Sequence, residues 1–218
     1  MALPILLTEW RKYIQEDQGA FASSALQLFM PSTSQCNKRK CSVEYFVSNM
    51  PSPVEERGMI YSKPKGGLWT ATAHKIEEGI YDSSWTKWVQ RNERHWFNPR
   101  GILIEPKSTN VFHIETDKDI KKLEKNFPKK KSSDPSHLQM KSEWEQLGYK
   151  FGPEIDWKRA LSDEGYDGIH WGMKDGSDSR SSFGINQAWD VESTCWRSDA
   201  VQKGILVPVG IVEISKNK

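Results

Sequence analysis

Two carboxylates stand two residues apart in the stretch Trp189-Asp190-Val191-Glu192-Ser193-Thr194-Cys195-Trp196. Read as a strand, its period of two puts Asp190, Glu192 and Thr194 on one face and Val191, Ser193 and Cys195 on the other. A fully exposed strand has no need of an indole at each end, and a buried one ordinarily avoids two acids. A strand lining a cleft reconciles the two, with at least one carboxylate kept for chemistry or for holding a ligand hydroxyl. The plainer alternative is a half-exposed strand whose acids face water and whose tryptophans are core.

Other side chains could join such a cleft. His74 follows Leu68-Trp69-Thr70-Ala71-Thr72-Ala73 closely and faces either the same cleft or solvent. His113, between Phe112 and Ile114, alternates away from both and is most simply solvent-facing, while His170, between Ile169 and Trp171, is either an ordinary strand residue or an acceptor contact. Cys195 alternates away from Glu192 and has no histidine at an activating spacing, so it reads as a small buried residue and not a nucleophile. Cys36 and Cys41 complete the three cysteines, and no further Cys/His group makes a four-ligand site, so no structural metal is expected. Gly66-Gly67 falls short of a phosphate-cradling pattern, because a strand and not a helix follows it.

The elements that must position these groups follow from periodicity. Thr8 can cap an N-terminal helix carrying Trp10, Tyr13 and Ile14, and Ala20 to Met30 is a second apolar stretch. Cys36 to Cys41 encloses Lys38-Arg39-Lys40, a basic loop. Val43 to Ser48 has the β-branched and aromatic content of a strand, ended by Pro51 and Pro53. Met59 to Tyr61 is a short strand, Lys63 to Gly67 a turn, and Leu68 to Ala73 a strand with Thr70 and Thr72 on one face. Ser83 and Ser84 start a helix with Trp85, Trp88 and Val89 at i, i+3, i+4. Gly101 to Ile104 and Val111 to Ile114 read as the two arms of a hairpin or meander. Asp117 begins a helix through Ile120, Leu123 and Phe127; Asp156 to Leu161 is another; Gly168 to Trp171 is a strand after the turn Tyr166-Asp167-Gly168. In the last strand, Gly204 to Ile214, Pro208 and Gly210 imply a bulge or an edge.

Composition sets the outer bounds. With 36% hydrophobic and 28% charged residues over 218, the chain has the makings of a packed core and is neither disordered nor membranous. A net charge of +2 argues for no nucleic-acid or membrane partner by itself. No signal peptide or run of about 18 apolar residues is present, which predicts a cytoplasmic protein. The ten tryptophans exceed ordinary usage and divide between core and binding cleft. Trp85 and Trp88 carry either role: their spacing suits a buried face, and their indoles suit stacking on a base or nicotinamide. The chain reads as one α+β domain: an N-terminal helical extension over 1–42, a core over 43–214 of mixed or antiparallel sheets, and a mobile insertion at 128–137.

Tyr45-Phe46-Val47-Ser48, then Gly67-Leu68-Trp69-Thr70-Ala71-Thr72, Trp85 and Trp88, Tyr166-Asp167-Gly168-Ile169 and Asp190-Val191-Glu192 together resemble the ADP-ribosyltransferase superfamily. The resemblance runs from about Val43 to Ile214 through short motifs. It implies split sheets around an NAD cleft, with NAD as the cofactor and a macromolecule, protein or nucleic acid, as acceptor. Glu192 would be the catalytic glutamate, Asp190 would orient the acceptor, and Thr70 and Thr72 would line the nicotinamide side with Gly67, Trp69 and Trp85. The first strand at Val43–Ser48 holds no Arg or His, so its cofactor contact falls to Ser48 or Asn49, or to Arg39 or Lys40 outside it. Two relatives of this reading remain: an NAD glycohydrolase of the same fold, and a degenerate transferase that binds only a partner. A non-enzymatic module holding single-stranded nucleic acid through tryptophans and lysines is the alternative from a different class.

Overall fold

The structure is a computed structural model that describes residues 25–31, 42–48, 64, 66–129, 155–172 and 191–216, with 139, 142, 143 and 146 singly. The predicted helix after Thr8, the basic loop 36–41, the strand at 59–61 and all but the start of the insertion lie outside these residues, as do Asn49 and Asp190.

In chain order the elements are β1 (Gln27–Phe29), α1 (Val43–Ser48), β2 (Leu68–Thr72), β3 (His74–Glu77), β4 (Ile80–Asp82), α2 (Ser84–Asn92), β5 (Arg100–Pro106), β6 (Val111–Ile114), α3 (Asp117–Asn126), α4 (Trp157–Ala160), β7 (Gly168–Trp171), β8 (Ser193–Trp196) and β9 (Leu206–Ile214). The chain is mixed α+β. The strands follow one another in the order β3-β4-β9-β5-β1-β2-β8-β7-β6. The pairs β4/β9 and β6/β7 are parallel, and the others antiparallel.

β2 is where the two halves of this sheet meet. Leu68, Trp69 and Thr70 pair with Trp196, Cys195 and Thr194 of β8. Ala71 and Thr72 pair with Leu28 and Gln27 of β1 on the other edge. The strand therefore leaves one ladder as it enters the other, and Thr72 has no β8 residue in register opposite it.

Two apolar clusters flank this seam. Trp69, Cys195, Ile169, Trp171, Phe112 and Ile114 point to one face of the sheet, where Ile120, Leu123 and Trp157 from α3 and α4 cover them. Leu68 and Trp196 point to the other, with Phe46, Ile102, Ile104 and Leu206. Each fully buried aliphatic side chain in these clusters contributes about 1.5–3 kcal/mol. Helices α2 and α3 begin where the sequence predicts. Ser83 caps α2, its hydroxyl accepting from the Thr86 N–H at 3.2 Å. At α3 the Asp119 carboxylate accepts from the Thr116 N–H at 2.9 Å.

Three expectations are corrected. Val43–Ser48 is a helix, because Val43, Phe46 and Val47 also stand at i, i+3, i+4, and Phe46 buries its ring against Phe29 with centroids 5.0 Å apart. The first described strand is instead β1, inside the stretch expected to be a helical extension, where it lies between β2 and β5. Gly101–Ile104 and Val111–Ile114 are strands but not a hairpin: β5 pairs with β1 and β9, and β6 pairs with β7 at the far edge. The predicted bulge in the last strand is present, as the β5/β9 register shifts between Leu103 and Ile104, opposite Gly210 and Pro208.

Candidate functional site

Glu192 occupies the gap left where β2 changes partners. The alternation expected for this stretch holds from Glu192 to Trp196, but the strand itself is shorter, since Val191 and Glu192 precede β8. Counting the β2/β8 register two steps beyond Thr70/Thr194 would set Thr72 opposite Glu192. There the side-chain carboxylate, not a backbone carbonyl, accepts the Thr72 N–H, at 3.3 Å to Oε1 and 3.2 Å to Oε2. The Thr72 hydroxyl donates to Oε1 at 3.0 Å, and the Ser84 hydroxyl, in the first turn of α2, is 2.8 Å from both Oε2 and the Glu192 carbonyl oxygen. The carboxylate is thus tied to both β2 and α2 while its side chain keeps 27% of its exposure.

Burial pushes the Glu192 pKa up, and the hydrogen bonds from Ser84 and Thr72 act against that shift. His74, the first residue of β3, adds a weaker electrostatic pull in the same direction as the hydrogen bonds. The result is a carboxyl whose ionised form is held by fixed donors yet poorly solvated, a state found where a carboxylate must act on a ligand.

His170 forms the wall beside it. Its Nδ1 shares a 2.9 Å hydrogen bond with the Thr194 hydroxyl and lies 3.6 Å from Glu192 Oε1. Burial, with a smaller push from His113, lowers the His170 pKa to about 3. The ring is therefore neutral at physiological pH, and its approach to Glu192 is a contact between a carboxylate and a dipole, not an ion pair. His113 is directly in register with His170 across the parallel β6/β7 pair, their ring centroids 5.2 Å apart. It is half-buried against that ring and not solvent-facing; burial lowers its pKa as well.

The other residues singled out in the sequence fall in different places. Thr70 is buried one turn of the pleat from Thr72; its hydroxyl donates to Gln27 Oε1 at 2.9 Å and accepts from Trp196 Nε1 at 2.8 Å. Trp69 points to the opposite face of β2, with its Nε1 donating to the Gly66 carbonyl at 3.0 Å. Gly67 is a buried turn residue with φ of 71°, a conformation that suits glycine, as does Gly66 at 82°. Trp85 lies on α2, half-buried and stacked on Trp88. Ser48 ends α1 and so is not on a strand. Cys195 is fully buried on the face away from Glu192. Asp167 accepts a hydrogen bond from the Ser108 hydroxyl and pairs with Arg197 at 3.5 Å.

Ser84 and His170 are the site residues that sequence reasoning did not assign. Ser84 was visible only as a helix start, and His170 only as an ordinary strand residue or an acceptor contact, with nothing in its spacing to set it beside Glu192. Among the described residues no three His, Cys, Asp or Glu side chains come together as metal ligands. Comparison with family models, curated proteins and solved structures finds no match to this chain.

Proposed function

We propose that the chain is an NAD-dependent mono-ADP-ribosyltransferase acting on a macromolecule, with Glu192 as its catalytic carboxylate. The observation that carries this reading is a glutamate held by β2 and α2 donors at the point where the sheet divides, partly open to solvent. The donor set fits a ribose. A carboxylate accepts from a hydroxyl and repels a phosphate, and the oxygens of Glu192 are already oriented by three fixed groups.

NAD supplies a ribose whose bond to nicotinamide breaks with positive charge building on the sugar, as in glycoside hydrolysis. Glu192 holds a ribose hydroxyl and sets its negative charge beside that developing charge. Thr72 and Ser84 fix the carboxylate so that it need not reorganise during the reaction. Neutral His170 fills the adjacent wall without neutralising Glu192. The reading leaves Asp190 the task of orienting the acceptor.

Release of free nicotinamide from NAD by the purified protein tests the reading. Wild type should release it, and Glu192→Gln, which keeps the shape and removes the charge, should be slower by about 10²–10³-fold with its far-ultraviolet circular dichroism unchanged. Equal rates in the two proteins, or no release from wild type with any added protein, DNA or RNA, would overturn it.

A further inference from the structure

The helix that holds Glu192 also carries an aromatic surface that the chemistry above does not use. Ser84, Trp88 and Arg91 stand four and three residues apart, so they share one face of α2, while Thr86, Val89 and Gln90 turn inward. Trp85 flanks that outward face and stacks on Trp88 with ring centroids 5.2 Å apart and planes 11° from parallel. Trp96, in the single 3-10 turn after α2, continues the row, its ring 6.4 Å from that of Trp88 and 48% exposed. None of the three indoles belongs to either buried apolar cluster. Three tryptophans at the surface, in contact with one another and partly in water, are costly unless something stacks on them.

The charges along this segment are mainly positive. From residue 84 to 100 the chain has Lys87, Arg91, Arg94 and Arg100 against a single acid, Glu93. Lys87 is committed to Asp82 at 3.2 Å, whereas Arg91 and Arg94 are exposed on the same segment, with Arg94 Nε donating to the Gln90 carbonyl at 3.2 Å. Flat π-faces spaced along a cationic ridge match an occupant that is itself a row of π-faces on an anionic backbone.

We infer that single-stranded nucleic acid binds along Trp85, Trp88 and Trp96, its phosphates toward Arg91 and Arg94 and one end of the bound strand at Ser84, beside Glu192. The inference deepens the proposed function by naming the class of macromolecule that reaches Glu192, and rests on that reading for what happens to it there.

The probe is a fluorescein-labelled dT12 oligonucleotide, titrated by anisotropy across a salt series against wild type, Trp88→Ala, Trp96→Ala and Arg94→Glu, with nicotinamide release followed in parallel. Wild type should bind, with affinity falling as salt rises. Each tryptophan variant should bind about 10-fold or more weakly, and Arg94→Glu should weaken binding and flatten the salt dependence. Trp96 is exposed, so Trp96→Ala keeps the test valid where Trp88→Ala unfolds. Absence of wild-type binding, or Trp96→Ala and Arg94→Glu proteins that bind as wild type does, would overturn the inference while leaving nicotinamide release to stand. Tryptophan-dependent binding without nicotinamide release would sustain the surface and overturn the transferase reading.

Discussion

Burial and hydrogen bonding act on Glu192 and His170 in opposite senses, and the two pKa shifts give this site a distinctive response to acid. His170 binds a proton near 6.5 in the unfolded chain but only near 3 in the fold. Its contribution to stability is therefore fully present above pH 6.5 and is lost as the pH falls from there toward 3, at about 1.4 kcal/mol per pH unit. Half-buried His113 adds to the loss, since its pKa is also lowered. Glu192 works the other way: its raised pKa makes the folded state gain as the carboxyl takes up a proton, in a window above its ordinary 4.5. Comparing variants separates the two. His170→Asn should lose less stability than wild type between pH 7.5 and pH 5, the difference being roughly 2 kcal/mol in urea unfolding. Parallel pH profiles for the two proteins would mean that His170 is not neutral in the fold.

At the scale of the element, β7 and β8 come together through a glycine and a tryptophan. Gly168 pairs with Trp196 in register, and a Cβ built on Gly168 would sit 2.8 Å from Cε3 of that indole. Trp196 is fully buried and pinned through its Nε1, so it has little room to retreat. Gly168→Ala should cost about 1–3 kcal/mol by overpacking, read as a lower urea midpoint with an unchanged slope. A midpoint equal to wild type would show that the indole can shift freely. Because β7 also carries His170, the same substitution tests how firmly the wall of the site is held.

For the molecule as a whole, the seam between the two halves of the sheet is held by a buried chain of side chains. Trp196 on β8 donates to Thr70 on β2, which donates to Gln27 on β1, so one hydrogen-bonded line crosses three adjacent strands. All three residues are buried, and none of them can turn to water for a replacement partner. Trp196→Phe keeps a large ring but strips the donor and should destabilise by about 1–3 kcal/mol. Thr70→Val alone orphans the Trp196 N–H, which the double variant no longer carries, so the double variant should lose less than the two single losses added together. Additive losses, measured by urea unfolding, would mean that the line does not act as a unit. The Arg197 cluster closes the opposite end of β8, where the buried guanidinium meets Asp163, Asp167 and Asp199. It binds the β7 and β8 termini together at the end of the strand away from Glu192.

Local periodicity was enough to say which faces exist. Alternation from Glu192 to Trp196 separated Cys195 from Glu192 and Thr194, and Ser83 with Trp85, Trp88 and Val89 announced a helix start, because both patterns depend only on neighbours within one or two turns. What a segment pairs with was not legible. Val43–Ser48 satisfies strand composition and helical spacing equally, and only the ring of Phe29 decides between them. Gly101–Ile104 and Val111–Ile114 looked like neighbours, yet β9, about a hundred residues later, takes the edge of β5 that a hairpin would need. The tertiary structure alone decided that Ser84 reaches Glu192 across 108 residues of sequence and that His170 lines up with His113. The reason is physical: side-chain direction is fixed by the backbone period, whereas strand order is fixed by which distant surfaces bury most apolar area together.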